Sequence, residues 1–198
     1  GNALAVLDCM ESPGVDAIWR QIWPGGEDGT FAKIAASSAI RRKKKTVLSE
    51  SFNVYGYDPT SSSMNWIANA QFIRGVNRLM VMPFLAGIRG GRQWGCCTDF
   101  SPRNPLWRLF PALTAHWEWI GAFDAGALEA PVRILYDPQL PASEEEGWRM
   151  EVEWKALARA LDEDRVFWRF AGKEELQDPK MTLDPRSVSE ADRRKWKE

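Results

Sequence analysis

Apolar residues recur with helical spacing at Leu4, Leu7 and Met10, until Ser12, Pro13 and Gly14 stop the run. The next stretch, "VDAIW", is short and β-forming, and "RQIWPGGEDGT" after it is a polar, glycine-rich loop. Thr30 is placed to cap a helix running to about Arg42, with Phe31, Ile34 and Ala35 among its apolar positions. The cycle then repeats. "TVLSE" reads as a buried strand, "SFNVYGYDPTSS" as a loop and "SMNWIANAQFIRG" as a helix closed by Gly75. "VNRLMVMPF" is a third strand, followed by the long loop "LAGIRGGRQWGCCTDFSPRNP" and an amphipathic helix from about Leu106 to Phe123.

Strand, loop and helix alternating in this way predict an α/β fold with a parallel sheet. The loops after the strands are long and rich in Gly, Trp and charge, whereas the returns from helix to strand are short. That asymmetry is expected of a (β/α)8 barrel, whose working face is built from the loops after its strands. Three units cannot close a barrel, so the sheet is either a smaller open one or a partial barrel belonging to a larger protein. From Ala130 the pattern restarts with "APVRILYD" as a strand, an acidic-started helix "SEEEGWRMEVEWKALARALDED" and a strand "RVFWRF". This resembles the opening βαβ of a flavodoxin-like domain. The predicted division is 1–126 for the barrel portion and 127–198 for an incomplete second domain, whose polar tail stops before a third strand.

Composition narrows the functional classes. Lys+Arg 26 against Asp+Glu 27 leaves a net charge of -1, which provides no general field for nucleic acid or an acidic membrane. Eleven tryptophans are the main oddity, because Trp is favoured where a flat apolar face meets a polar ligand such as a sugar. For Trp19, Trp66, Trp107, Trp117 and Trp119 taken singly, packing of helices against a sheet is the simpler expectation. Cys9, Cys96 and Cys97 suit neither a disulfide framework nor C-x-x-C zinc spacing and read as free thiols.

Glu50 is the sharpest chemical candidate, a carboxylate at the exit of a parallel strand, where barrel enzymes keep catalytic groups. Glycoside hydrolysis typically uses two such carboxyls flanking the scissile bond. The competing expectation is a Glu paired with an arginine. "RRKKK" at 41–45 is read as a solvated helix C-terminus complementing the dipole rather than a nucleic-acid patch. His116 is expected to pack or face solvent. Glu27 and Asp28 could contribute to a calcium site but are too few to define one, so no cofactor is expected.

The segments "GVDAIWRQIWPGGEDGTFAKIAASSA", "LSESFNVYGYDPTSSSMNWIANAQFIRGVN", "GIRGGRQW" and "DFSPRNPLW" together resemble the C-terminal half of a group of large bacterial glycoside hydrolases. These are TIM-barrel enzymes akin to clan A glycosidases, of the α-L-rhamnosidase and β-galactosidase kind, with a flavodoxin-like domain after the barrel. The resemblance spans roughly Gly14 to Phe123 and continues weakly beyond. It implies that "VDAIW", "TVLSE" and "RLMVM" are the sixth, seventh and eighth barrel strands. Glu50 then matches the strand-seven glutamate, the nucleophile of retaining members or the water-activating base of an inverting relative, and the acid partner lies upstream of Gly1. It further implies substrate contacts from Asp16, Arg20, Gln21 and Trp23, with Arg20 placed to keep Glu50 ionised. Tyr55 and Tyr57 would orient it, and Arg89, Trp94 and Asp99 would contribute from the loop after strand eight. One departure stands out: where the family has a histidine-containing segment, this chain has "VMPF", and Met82 cannot donate a hydrogen bond to a sugar hydroxyl. The expectation is a glycosidase fragment acting on carbohydrate, inactive alone, with no nucleic-acid or membrane partner. The alternatives are a non-catalytic carbohydrate-binding barrel protein and a small stand-alone α/β interaction domain.

Overall fold

The computed structural model describes residues 2–26, 30–84, 97–122, 130–136, 143–176, 182–184 and 188. Its elements follow the predicted alternation: α1 (Ala3–Asp8), β1 (Gly14–Ala17), α2 (Thr30–Arg42), β2 (Leu48–Ser51), α3 (Ser61–Phe72), β3 (Arg78–Val81), α4 (Phe110–Gly121), β4 (Val132–Leu135), α5 (Glu144–Glu163), β5 (Trp168–Ala171) and β6 (Thr182–Leu183). The molecule is mixed α/β with two parallel three-stranded sheets, ordered β1-β2-β3 and β5-β4-β6. The short third strand β6 corrects the expectation that the tail stops before one. The predicted boundary at 126/127 lies outside the described residues.

Local chemistry accounts for the ends of α3. The Thr60 side chain accepts the Ser63 N–H at its start. At its exit Gly75 takes φ 97° and donates to Phe72 O, and a Cβ there would come within 2.7 Å of Ala36 Cβ. Glycine therefore both ends α3 and lets it approach α2.

In the first sheet, Val15, Ser49 and Leu79 share one register row and Ala17, Ser51 and Val81 another. This face is covered by helices: Ser49 and Ser51 are fully buried, and Ser51 Oγ donates to Gln71 Oε1 of α3 at 3.2 Å. The rows Gly14, Leu48, Arg78 and Asp16, Glu50, Met80 lie on the opposite face. Among the described residues no helix packs on that side, and Met80 is 52% exposed. Parallel sheets are ordinarily covered on both faces.

Helix α2 is buried nearly all round, through Ala32, Lys33, Ala35, Ala36, Ser37, Ser38 and Ala39. Its small side chains allow β1 on one side and β5 on the other to approach closely. β5 is an edge strand, and two α2 side chains one turn apart complete its hydrogen bonding. The Phe170 N–H donates to Ser37 Oγ at 2.8 Å, and Lys33 Nζ donates to Trp168 O at 3.0 Å. The "RRKKK" run is likewise used locally: Arg41 and Arg42 pair with Asp8, and Lys44 with Glu11.

Lys33 is only 5% exposed, and this burial drives its pKa down from the ordinary 10.5 to about 8, Asp162 opposing the shift and Arg74 adding to it. Between pH 8 and 10.5 the unfolded lysine keeps a proton that the folded one has released, so stability rises with pH across that window. Below about pH 8 both states are charged and the full cost, on the order of 3 kcal/mol, is present. Urea titrations from pH 7 to 10.5 are expected to show this rise, and Lys33→Met to flatten it; an equal slope in the variant would remove Lys33 as its source.

The tryptophan expectation needs correcting. Trp117 is 6% exposed and sits in the core, but Trp19, Trp66, Trp107 and Trp119 are 69%, 43%, 41% and 64% exposed. Trp19 and Trp119 are therefore mostly open to solvent, whereas Trp66 and Trp107 are a little over half covered, Trp107 with its ring against Phe110.

Candidate functional site

The loops leaving β1 and β2 meet over the carboxyl end of the first sheet. Phe52 and Tyr55 are fully buried and anchor the second loop: the Phe52 ring stacks on Trp117 at 5.7 Å and meets Phe100 at 5.4 Å and Tyr55 at 5.9 Å. The Tyr55 hydroxyl donates to Ile22 O at 3.1 Å and accepts the Ile22 N–H at 3.2 Å, which ties the two loops together. Arg20 adds a second tie, donating through Nε to Tyr55 O at 3.1 Å and pairing with Asp58. A third comes from Trp19, whose N–H donates to Asn53 O at 3.2 Å.

These ties hold an unfavourable backbone. Six non-glycine residues among those described have positive φ, and four of them, Trp19, Arg20, Phe52 and Val54, lie in these two loops. Each costs about 1–2 kcal/mol for an L-residue, and such strain concentrates where surrounding contacts over-determine a functional geometry.

Glu50 lies at the centre, partly exposed on the uncovered face, with Asp16 and Met80 in register beside it. Its Oε1 accepts from Asn53 Nδ2 at 3.1 Å. Asn53 Oδ1 in turn accepts from the buried Cys97 thiol at 3.2 Å. Among the described residues, Glu50 Oε2 accepts nothing. A partly exposed carboxylate with one oxygen held and one available can accept sugar hydroxyls, attack an electrophilic carbon or take a proton from water.

No family model, curated protein or solved structure matches the chain. The reading of the site therefore rests on its geometry and on the sequence motifs.

The other sequence-derived candidates divide into groups. Asp16 is exposed in the strand row beside Glu50, and Tyr57 is 59% exposed beyond it. Arg20 is turned to Asp58, Tyr55 O and the Trp23 ring, 4.9 Å away, so it clamps the loop instead of facing Glu50. Gln21 accepts the Ile18 N–H, and Trp23 is half-buried against Tyr55. Tyr55 turns inward; burial pushes its hydroxyl up to about 12, its bond to Ile22 and the Arg20 charge offsetting part of the shift. It is a structural pin there, not a proton carrier at neutral pH. Asp99 is buried, its carboxylate taken up by Ser101 N, Ser101 Oγ and Arg103 within its own turn. Arg89, Trp94, Glu27 and Asp28 lie outside the described residues. His116 is partly exposed on α4, its ring against Trp119.

Asn53, Cys97 and the exposed Trp19 join the candidates from the structure alone. Nothing in their spacing signals the role, because it arises from contacts across loops 34 and 44 residues apart. Among the described residues no group of three or more His, Cys, Asp or Glu is placed to hold a metal ion, and no helix is long and apolar enough to cross a membrane. A separate cleft of about 610 Å³ lies beside α1 and the end of α2, remote from Glu50. Its charges are largely neutralised internally, Arg41 by Asp8 and Glu174, and Arg42 by Asp8.

Proposed function

We propose that this chain carries the Glu50 half of a two-carboxylate glycoside hydrolase site. The observation that carries the reading is a partly exposed glutamate at the carboxyl end of the central parallel strand, on the uncovered face, beneath two interlocked and strained loops. Sequential strand order favours a singly wound sheet: right-handed crossovers put every helix on one face, as in a segment of a (β/α)8 barrel. The second order, β5-β4-β6, is the 2-1-3 arrangement that opens a flavodoxin-like sheet. The remaining barrel strands would cover the open face and supply the second carboxyl group.

In the retaining version, a Glu50 oxygen forms a bond to the anomeric carbon while the bond to the leaving oxygen breaks. The partner acid gives that oxygen its proton. Water then cleaves the glycosyl ester, its proton returning to the partner and the carboxylate to Glu50. In the inverting version Glu50 takes the proton of the attacking water, which bonds directly to the anomeric carbon as the bond to the leaving oxygen breaks and the partner acid protonates that oxygen. Trp19 and Tyr57 offer exposed rings for stacking on a sugar face.

A non-catalytic carbohydrate-binding role would use the same carboxylate and rings without the second acid. A panel of aryl glycosides, assayed with the protein that completes the barrel, separates the two. Release of phenol from at least one glycoside is expected. Calorimetric binding of the sugars with no release from any member would replace the hydrolase reading with the binding one.

A further inference from the structure

We propose that Asn53 is the positioning residue of the Glu50 carboxylate, with Cys97 setting the direction in which its amide faces; this rests on the reading of Glu50 as the reacting group. An asparagine amide has two ends of nearly equal shape and opposite hydrogen-bonding character. Here the Nδ2 end faces Glu50 Oε1 at 3.1 Å and the Oδ1 end faces the Cys97 thiol at 3.2 Å. Reversing the amide would set its oxygen against the carboxylate oxygen, two acceptors in contact, and would exchange the thiol's donated bond for the weaker one in which sulfur accepts an amide N–H. The thiol and the carboxylate therefore select one orientation between them.

The amide is held in place as well as in direction. Its chain neighbours Phe52 and Val54 both have positive φ, at 73° and 60°, and Phe52 and Tyr55 are fully buried on either side of it. Local preference would assign the left-handed region to Asn53 rather than to Phe or Val. The core fixes the backbone at Phe52 and Tyr55, and the turn between them aims the Asn53 side chain at Glu50. Its carbonyl meanwhile holds the Trp19 N–H. One carboxylate oxygen is thus restrained and the other is left to react, which restricts rotation of the group away from its line of attack. Cys97 is fully buried, and its thiol donates a directed hydrogen bond to Asn53 Oδ1.

The test uses the barrel-complete protein and its best aryl glycoside. Asn53→Leu is expected to lower kcat by roughly ten- to a hundredfold while KM stays within about threefold, because a positioning contact acts mainly on the reacting geometry. The Cys97 pair separates positioning from packing. Serine retains a donor to Asn53 Oδ1 and valine does not, so Cys97→Val should lose at least about fivefold more kcat than Cys97→Ser. A packing role predicts the reverse order, since valine is apolar and serine brings a hydroxyl into a buried site. Urea unfolding of each variant identifies any loss caused by misfolding, and the Cys97 comparison is then read on the folded fraction. Asn53→Leu with kcat within threefold of wild type, or serine falling below valine, overturns the proposal while the Glu50 reading stands. Full turnover in Glu50→Gln overturns both.

Discussion

Glu50→Gln in the barrel-complete protein should lower kcat for an aryl glycoside by about a thousandfold or more, since removal of a general base alone costs about 10²–10⁴. Loss of a nucleophile is at least as severe, because no covalent intermediate can form. The substitution isolates charge from shape. Glutamine keeps the side-chain length, and its carbonyl oxygen still accepts from Asn53 Nδ2, so the contact at Oε1 survives. Glu50 is partly exposed and makes no ion pair among the described residues, so unfolding free energy should change by less than about 1 kcal/mol. Undiminished turnover, measured after the protein is shown to be folded, would remove Glu50 from the chemistry. The anomeric configuration of the first sugar released, read by proton NMR, then assigns the role: retention makes Glu50 the nucleophile and inversion makes it the base.

The largest effect on stability is expected at Phe52. Phe52→Ala should cost about 3–5 kcal/mol, the usual range for removing a fully buried phenylalanine. The ring touches three others, Tyr55, Phe100 and Trp117, which come from its own loop, the segment before α4 and α4 itself. Their positions are fixed by separate backbone elements, so they cannot easily collapse into the space left behind. Alanine also gains nothing in the backbone, since φ 73° is unfavourable for it too. The urea midpoint should fall with little change in slope. A loss below about 1 kcal/mol would mean that Phe52 is not the anchor of the loop.

The elements were legible wherever periodicity and punctuation agreed. "TVLSE" contains β2, and the helix read from "SMNWIANAQFIRG" is α3, closed by Gly75, although its capping Thr60 lies in what reads as loop. α2 shows where such reading stops. Phe31, Ile34 and Ala35 mark one apolar side, but Ala, Ser and even Lys33 are buried around the helix because it is covered from two directions. A single chain pattern records which residues tolerate burial and not how many neighbours press upon them. β6, two residues within a polar tail, leaves too short a pattern to be seen. At the site, the placement of Glu50 follows from strand and loop order. The inward turn of Tyr55 does not, because left-handed conformations at Phe52 and Val54 run against local preference and are imposed by packing, and that of Asp99 does not, because its carboxylate is taken up by Ser101 and Arg103 in its own turn.

The bonding of β5 to α2 bears on how the polypeptide can be divided. Lys33 and Ser37 precede β5 by more than 130 residues, yet they fill the hydrogen-bonding positions that a neighbouring strand would otherwise occupy. A cut at the predicted 126/127 boundary would respect the order of the sequence and sever this pairing, leaving one piece with a raw sheet margin and the other with an amine stranded in an apolar surface. The second sheet is in this sense not a detachable appendage. Its edge strand depends for part of its hydrogen bonding on the helix that borders it.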